Sequence, residues 1–248
     1  MCRSGYYCDG QPGTTDADIR NNVADPSDGL CQPGYYCPSG SPAPIPCIAG
    51  EYQPESGRNV CIVCDPGKYC PLGSADINSN NCPAGYYCKQ YNDGTDKGTA
   101  YSTEFPCPKG KYNDITNASD DTACRECPAG YYCDKEALDT FPNQCDAGYF
   151  CLANSQNPRP ITVAEGGRCT AGNYCPAGSA QMLPCPAGQY CGADMLSIPM
   201  GNCLEGYYCV AGALVPAPTD GTTGDICPMG HFCTGGTTEN GGLSCARG

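Results

Sequence analysis

Residues 127–133 read Cys127-Pro128-Ala129-Gly130-Tyr131-Tyr132-Cys133, and residues 82–88 repeat them letter for letter. Variants recur along the whole chain: CRSGYYC from Cys2, CQPGYYC from Cys31, CDPGKYC from Cys64, CDAGYFC from Cys145 and CTAGNYC from Cys169. CPAGQYC from Cys185, CLEGYYC from Cys203 and CPMGHFC from Cys227 complete the short form. Two copies keep the front half and carry the second cysteine later: CIAGEY from Cys47, closing at Cys61, and CPKGKY from Cys107, closing at Cys124. All twelve obey one rule, namely Cys, two variable residues, Gly, one variable residue, then Tyr or Phe. Such short-period repetition is the signature of a repeat array, not of one globular core.

Each fixed position has a physical reason. Glycine at position 4 suits a backbone of positive φ or the close approach of another segment. Pro or Ala before it fits the first corner of a turn. The aromatic at position 6 is large and flat enough to cover a disulfide and the next module's backbone.

The composition demands those staples. Leu, Ile, Val and Phe together number 28 in 248 residues, and Trp is absent. Alone, so little apolar surface would not offset the ordering entropy of the chain. The 25 cysteines compensate, because small cores closed by disulfides are the usual solution. With 33 Gly and 24 Pro, turns and extended connections are expected in place of helices or long strands. The fold class read here is therefore small disulfide-rich repeats: an elongated, rod-like array of turns and short two-stranded ribbons.

Regularly spaced cysteines in this number imply an oxidising compartment, extracellular and either secreted or on the cell surface. Zinc sites prefer cysteines two to four residues apart, with histidine in frequent company. Here five residues usually intervene, His231 is the single histidine, and CxxC occurs only at Cys61–Cys64 and Cys124–Cys127. No metal site and no cofactor is read. The net charge of −13 disfavours nucleic acid and anionic membrane as partners. No stretch is apolar enough for membrane insertion as a helix.

The first cysteines of successive modules are 16 to 29 residues apart, with long steps after Cys2, Cys82, Cys145 and Cys203. This groups the chain into 2–81 (modules 1–4), 82–144 (5–7), 145–202 (8–10) and 203–248 (11–12 plus a truncated thirteenth at Cys245). Residues 9–30, 89–106, 152–168 and 210–226 read as loops; residues 38–46 read as a polyproline-like spacer. The fairest helical candidate, DKEALDTF around Ala137, is too short to be stable alone. Each module is expected to touch mainly its two neighbours. The front-half module Cys245-Ala246-Arg247-Gly248 and the start at Cys2 read as boundaries within a longer array.

If second cysteines bonded the next module's first, Cys61 would join Cys64 and Cys124 would join Cys127. Such tight rings suit redox motifs, whereas the wider loops Cys47–Cys61 and Cys107–Cys124 constrain the unfolded chain more. If only sequence neighbours pair, the remaining bonds are Cys2–Cys8, Cys31–Cys37, Cys64–Cys70, Cys82–Cys88, Cys127–Cys133, Cys145–Cys151, Cys169–Cys175, Cys185–Cys191, Cys203–Cys209 and Cys227–Cys233. Crossed one-to-three patterns stay open on the sequence alone. Within-module pairing leaves Cys245 unpaired or intermolecular.

The runs CIAGEYQPESGRNVCIVCDPGKYC (Cys47 to Cys70) and CPKGKYNDITNASDDTACRECPAGYYC (Cys107 to Cys133) resemble the ephrin-receptor-like cysteine-rich repeat. That repeat occurs in extracellular proteins of protists and animals, including proteins of the mastigoneme type. The resemblance covers essentially the whole chain, although the ten short modules depart from it by closing after five residues. It implies an extracellular, elongated, disulfide-stapled array and no single function.

No nucleophile elbow, phosphate-binding loop, dinucleotide fingerprint or HExxH motif is present, and no catalytic residue is read. His231 sits at a variable position of its module. Asn117-Ala118-Ser119 is a sequon, so Asn117 is expected to carry a glycan. The functional expectation is a non-enzymatic structural subunit or segment of a filament, appendage or surface coat. Its partners would be copies of itself, head to tail, or further modules of the same chain. The alternative is a receptor or adhesin stalk binding protein or glycan, or a protist surface antigen.

Overall fold

The computed structural model describes residues 3–8, 29–90, 98–101, 104–141, 143–239 and 243–244. Cys2 and Cys245 lie outside the described residues, and with them the expected Cys2–Cys8 bond and the state of Cys245. The chain divides into two compact units. One comprises Met1–Pro108, Asn113–Arg125 and Glu136–Thr140; the other comprises Lys109–Tyr112, Glu126–Lys135 and Phe141–Gly248.

The fold is a series of small disulfide-rich repeats. Regular structure among the described residues is limited to strands of two or three residues and one 3₁₀ turn, Asp121–Ala123, whose start is capped by the Asp120 side chain. The Ala137 stretch forms no helix. Ala137 has φ of 57°, a left-handed conformation that a helix cannot contain.

The ribbons share one construction. Positions 5 and 6 of a module run antiparallel to the residues just before the next module's first cysteine. In the first unit Tyr35–Tyr36 pairs with Ile45–Pro46, and Glu51–Tyr52 with Ile62–Val63. In the second unit Tyr149–Cys151 pairs with Gly166–Arg168, Asn173–Tyr174 with Leu183–Pro184, and Tyr207–Cys209 with Gly224–Ile226. The variable connectors are therefore the hairpin loops of these ribbons. A connector of any length returns the chain to one place, which is how irregular spacing coexists with a regular array.

The core is sulfur. Cys31, Cys37, Cys64, Cys70, Cys127, Cys133, Cys185 and Cys191 are among the fully buried residues. The position-6 aromatics differ in how far they are covered. Tyr190 lies on the buried cluster of Cys203, Cys209 and Ala213, and Tyr112 is buried while Phe232 is exposed.

Contacts also reach beyond the nearest neighbour, which differs from the sequence expectation. An ideal Cβ on Gly130 would lie 2.4 Å from the carbonyl oxygen of Gly178, two modules on. The corresponding oxygen for Gly85 is that of Ala137, at 2.3 Å, and for Gly5 that of Gly57, at 2.2 Å. A position-4 glycine is thus needed twice, for its φ near +85° and for the carbonyl lying over it. We expect Gly130→Ala to cost at least about 2 kcal/mol, from left-handed strain plus the backbone shift that relieves the clash. Thermal unfolding of the oxidised protein measures this; an unchanged transition would show that the close approach is absent.

Candidate functional site at the intermodule joint

The recurring chemistry of this chain lies in the joint between consecutive modules. It begins with a turn. The N–H at position 5 donates to the carbonyl at position 2, as Tyr35 does to Gln32 and Tyr131 to Pro128. With φ of 86° at Gly34 and 87° at Gly130, glycine occupies the third corner that a type II turn requires. The turn aims both backbone polar groups of the glycine, its N–H and its carbonyl, at the next module.

Four backbone hydrogen bonds then cross the joint. The position-4 N–H donates to the position-7 carbonyl of the next module: Gly50 to Cys70 and Gly67 to Cys88 in the first unit, Gly130 to Cys151 and Gly188 to Cys209 in the second. The same glycine's carbonyl accepts from the next module's first cysteine N–H, as in Cys64 to Gly50 and Cys145 to Gly130. The position-7 N–H donates to a carbonyl beyond the next module's second turn, as in Cys70 to Thr99 and Cys151 to Ser179. Lastly, the left-handed residue of that second turn donates its N–H back to a first-cysteine carbonyl, as in Gly73 to Cys47 and Gly178 to Cys145.

The disulfides hold both ends of this pattern in place. The structure joins Cys31 to Cys37, Cys64 to Cys70, Cys82 to Cys88, Cys127 to Cys133, Cys145 to Cys151, Cys169 to Cys175, Cys185 to Cys191, Cys203 to Cys209 and Cys227 to Cys233. It joins Cys47 to Cys61 and Cys107 to Cys124 in the two wide modules. Neither CxxC pair is bonded to itself. In a short module the bond ties position 1, which meets the preceding glycine's carbonyl, to position 7, which meets its N–H.

The wide modules have no cysteine at position 7, and an amide stands there. Gln53 and Asn113 are 2% and 0% exposed. Asn113 donates from Nδ2 to the Tyr86 carbonyl (2.8 Å) and accepts at Oδ1 from the Ile115 N–H (3.1 Å). Gln53 donates from Nε2 to the Val60 carbonyl (2.7 Å) and accepts at Oε1 from the Glu55 N–H (3.0 Å). Their own main chains still make the joint: Gly34 donates to the Gln53 carbonyl and Gly85 to that of Asn113. Side-chain hydrogen bonds thus replace a half-cystine, and the cystine moves to the return strand.

These two amides and the second left-handed residue are absent from the sequence reading. The second turn nevertheless has a signal. Cys37-Pro38-Ser39-Gly40, Cys70-Pro71-Leu72-Gly73, Cys175-Pro176-Ala177-Gly178 and Cys209-Val210-Ala211-Gly212 repeat after the second cysteine the Cys-x-x-Gly rule that governs the first. The signal fades where Asn117, Ala137, Asn154 and Met195 hold the same conformation, with φ between 57° and 67°.

Asn117 thus occupies a second-turn position. The residue is exposed, and its N–H is bonded to the Cys82 carbonyl. His231 is exposed, with Nδ1 3.4 Å from the Met229 carbonyl. Shallow depressions lie beside Gln53, Arg58 and Val60 in the first unit and beside Tyr208, Thr222 and Glu239 in the second. Among the described residues no group of three His, Cys, Asp or Glu is placed to hold a metal, and no helix is long and apolar enough to cross a membrane.

The charges are peripheral. Arg159 Nε lies 2.6 Å from Asp146 Oδ2, a pair whose hydrogen bond raises the guanidinium pKa. Hydrogen bonds from Thr223 hold the Asp220 carboxyl below its usual range, and those from Thr122 do the same for Asp120. All of these groups are exposed and organise single loops.

No known family pattern matches the chain. A segment covering 36% of it is 27% identical, over 115 residues, to ABC transporter G family member 28 of Arabidopsis thaliana. The similarity spans 10% of that protein's length.

The amides provide a test of the joint. Asn113→Ala removes a buried amide and leaves the Tyr86 carbonyl and the Ile115 N–H without its hydrogen bonds, and is expected to destabilise the protein by about 1–3 kcal/mol. Gln53→Ala should behave alike. Thermal melts of both variants check this; two wild-type melting curves would show that the amides hold nothing.

Proposed function

We propose that this chain is a non-enzymatic structural subunit or segment of an extracellular filament, appendage or surface coat, assembling head to tail. The observation that carries this reading is the joint. One backbone pattern, made by the same positions, recurs from module to module in both units. It depends on turn and cysteine positions instead of on particular side chains. Modules of one kind can therefore be added to an array without new interface chemistry. The repeated feature of this chain is thus a connection between modules, as expected of a part whose work is to extend.

The disulfides agree with an oxidising environment, where they persist. Asn117, exposed at a turn, is offered as the carrier of an N-linked glycan facing solvent. No cofactor enters the reading. The partners are copies of this chain or further modules of the same kind. A receptor or adhesin stalk would need a recognition surface for protein or glycan.

Electron microscopy of the secreted, oxidised protein across a concentration series tests the proposal. We expect filaments of uniform width that lengthen with concentration and dissolve when the disulfides are reduced. Single particles of one chain at every concentration would overturn it.

A further inference from the structure

The cystine of the first wide module is tied to only one end of its joint. Cys47 gives its N–H to the Gly34 carbonyl (2.9 Å), but the Gly34 N–H bonds the carbonyl of Gln53 (2.7 Å), a residue without sulfur. The return strand beside Cys61 is held in two further ways. Gln53 Nε2 donates to the carbonyl of Val60, the residue just before Cys61 (2.7 Å). The ribbon then pairs Tyr52 with Ile62 and Glu51 with Val63. The second wide module differs here, because its Asn113 amide reaches the Tyr86 carbonyl of another module and not its own return strand.

The same cystine has one accessible side. Cys47 is fully buried, whereas Cys61 is partly exposed. Its neighbours Val60 and Ile62 are 59% and 44% exposed, and both line the depression beside Gln53 and Arg58. Cys107–Cys124 closes a loop of similar length and supplies the contrast, since Cys107 is fully buried and Cys124 is only 5% exposed. Cys8 and Cys227 are the other partly exposed cysteines among the described residues. Cys8 stands at position 7 and Cys227 is bonded to position 7 at Cys233, so both belong to cystines that fix a joint at that end.

We propose that Cys61 is a thiol-exchange site open to small soluble thiols. The thiolate of such a molecule attacks Cys61 Sγ, because access decides which sulfur of a disulfide is attacked. A new S–S bond forms to Cys61 as the bond to Cys47 breaks. Cys47 leaves as the thiolate and recovers the proton that the incoming thiol gave to water. One disulfide replaces another, with no net oxidation or reduction. The product carries a mixed disulfide on Cys61 and a free thiol at Cys47. Gln53 and the ribbon still hold the return strand, so the array accepts the thiol without losing a joint.

The test exposes the full oxidised chain briefly to reduced glutathione, quenches with acid, labels free thiols with N-ethylmaleimide and maps the peptides. Glutathione is expected on Cys61 and maleimide on Cys47, formed roughly tenfold or more faster than any adduct of Cys107–Cys124. A second measurement follows the joint. In Cys47→Ala with Cys61→Ala the melting temperature should fall while the Gly34 amide keeps its slow hydrogen exchange. In Cys64→Ala with Cys70→Ala the Gly50 amide, which donates to the Cys70 carbonyl, should lose protection. Glutathione on Cys47, equal rates for the two wide modules, or fast exchange at Gly34 in the first variant would overturn the proposal.

Discussion

At each joint one glycine residue is held through both of its backbone polar groups. The glycine N–H gives its proton to the position-7 carbonyl of the next module, and the glycine carbonyl takes one from that module's first cysteine, as at Gly130 with Cys151 and Cys145. Cys145 and Cys151 are themselves joined through sulfur. The next module therefore presents its acceptor and its donor at a fixed spacing, set by a covalent ring. The other features serve to keep that ring and that glycine in register. The glycine must adopt positive φ, the strand must return to the same place whatever the connector, and nothing larger than hydrogen can stand on the glycine.

This explains how a chain with so few aliphatic residues folds. Closing a loop of sequence separation 6 restricts the unfolded chain by about 2 kcal/mol on the chain-entropy model, and separations of 14 and 17 by about 3 kcal/mol. Each backbone hydrogen bond adds a net ~1 kcal/mol, and leaving one unmade in a buried joint costs about 1–3 kcal/mol. Neither term requires large side chains. The cost is dependence on oxidation: a reduced module loses the fixed spacing that makes its hydrogen bonds worthwhile. Gln53 and Asn113 show the alternative, where a buried amide fixes the main chain locally and the cystine is moved along the strand.

Much of this was legible in the sequence because the governing constraints are local. Glycine at position 4 announces its conformation by steric exclusion, and the short ribbons accord with a chain rich in turns and extended residues. The two buried amides were not legible, because an amide's role depends on carbonyls such as that of Tyr86, 27 residues away in sequence. The second left-handed turn was half legible. It is written as Cys-x-x-Gly at Cys37 and Cys70, but at Ala137 and Met195 the surrounding hydrogen bonds impose a conformation those side chains do not favour. The approach of modules two steps apart was invisible in the pattern, since it depends on how one joint is rotated relative to the next.

Residue-level hydrogen exchange tests the joint most directly. In the oxidised protein the amides of Gly85, Gly130, Gly148 and Gly188, and of Cys127, Cys145 and Cys203, should exchange slowly, while exposed loop amides such as those of Ile161 and Val163 exchange fast. Reduction should remove that protection from all the joint amides together. Joint amides that exchange as fast as the loops while the disulfides are intact, or that stay protected after reduction, would contradict an array held by cystine-spaced backbone hydrogen bonds.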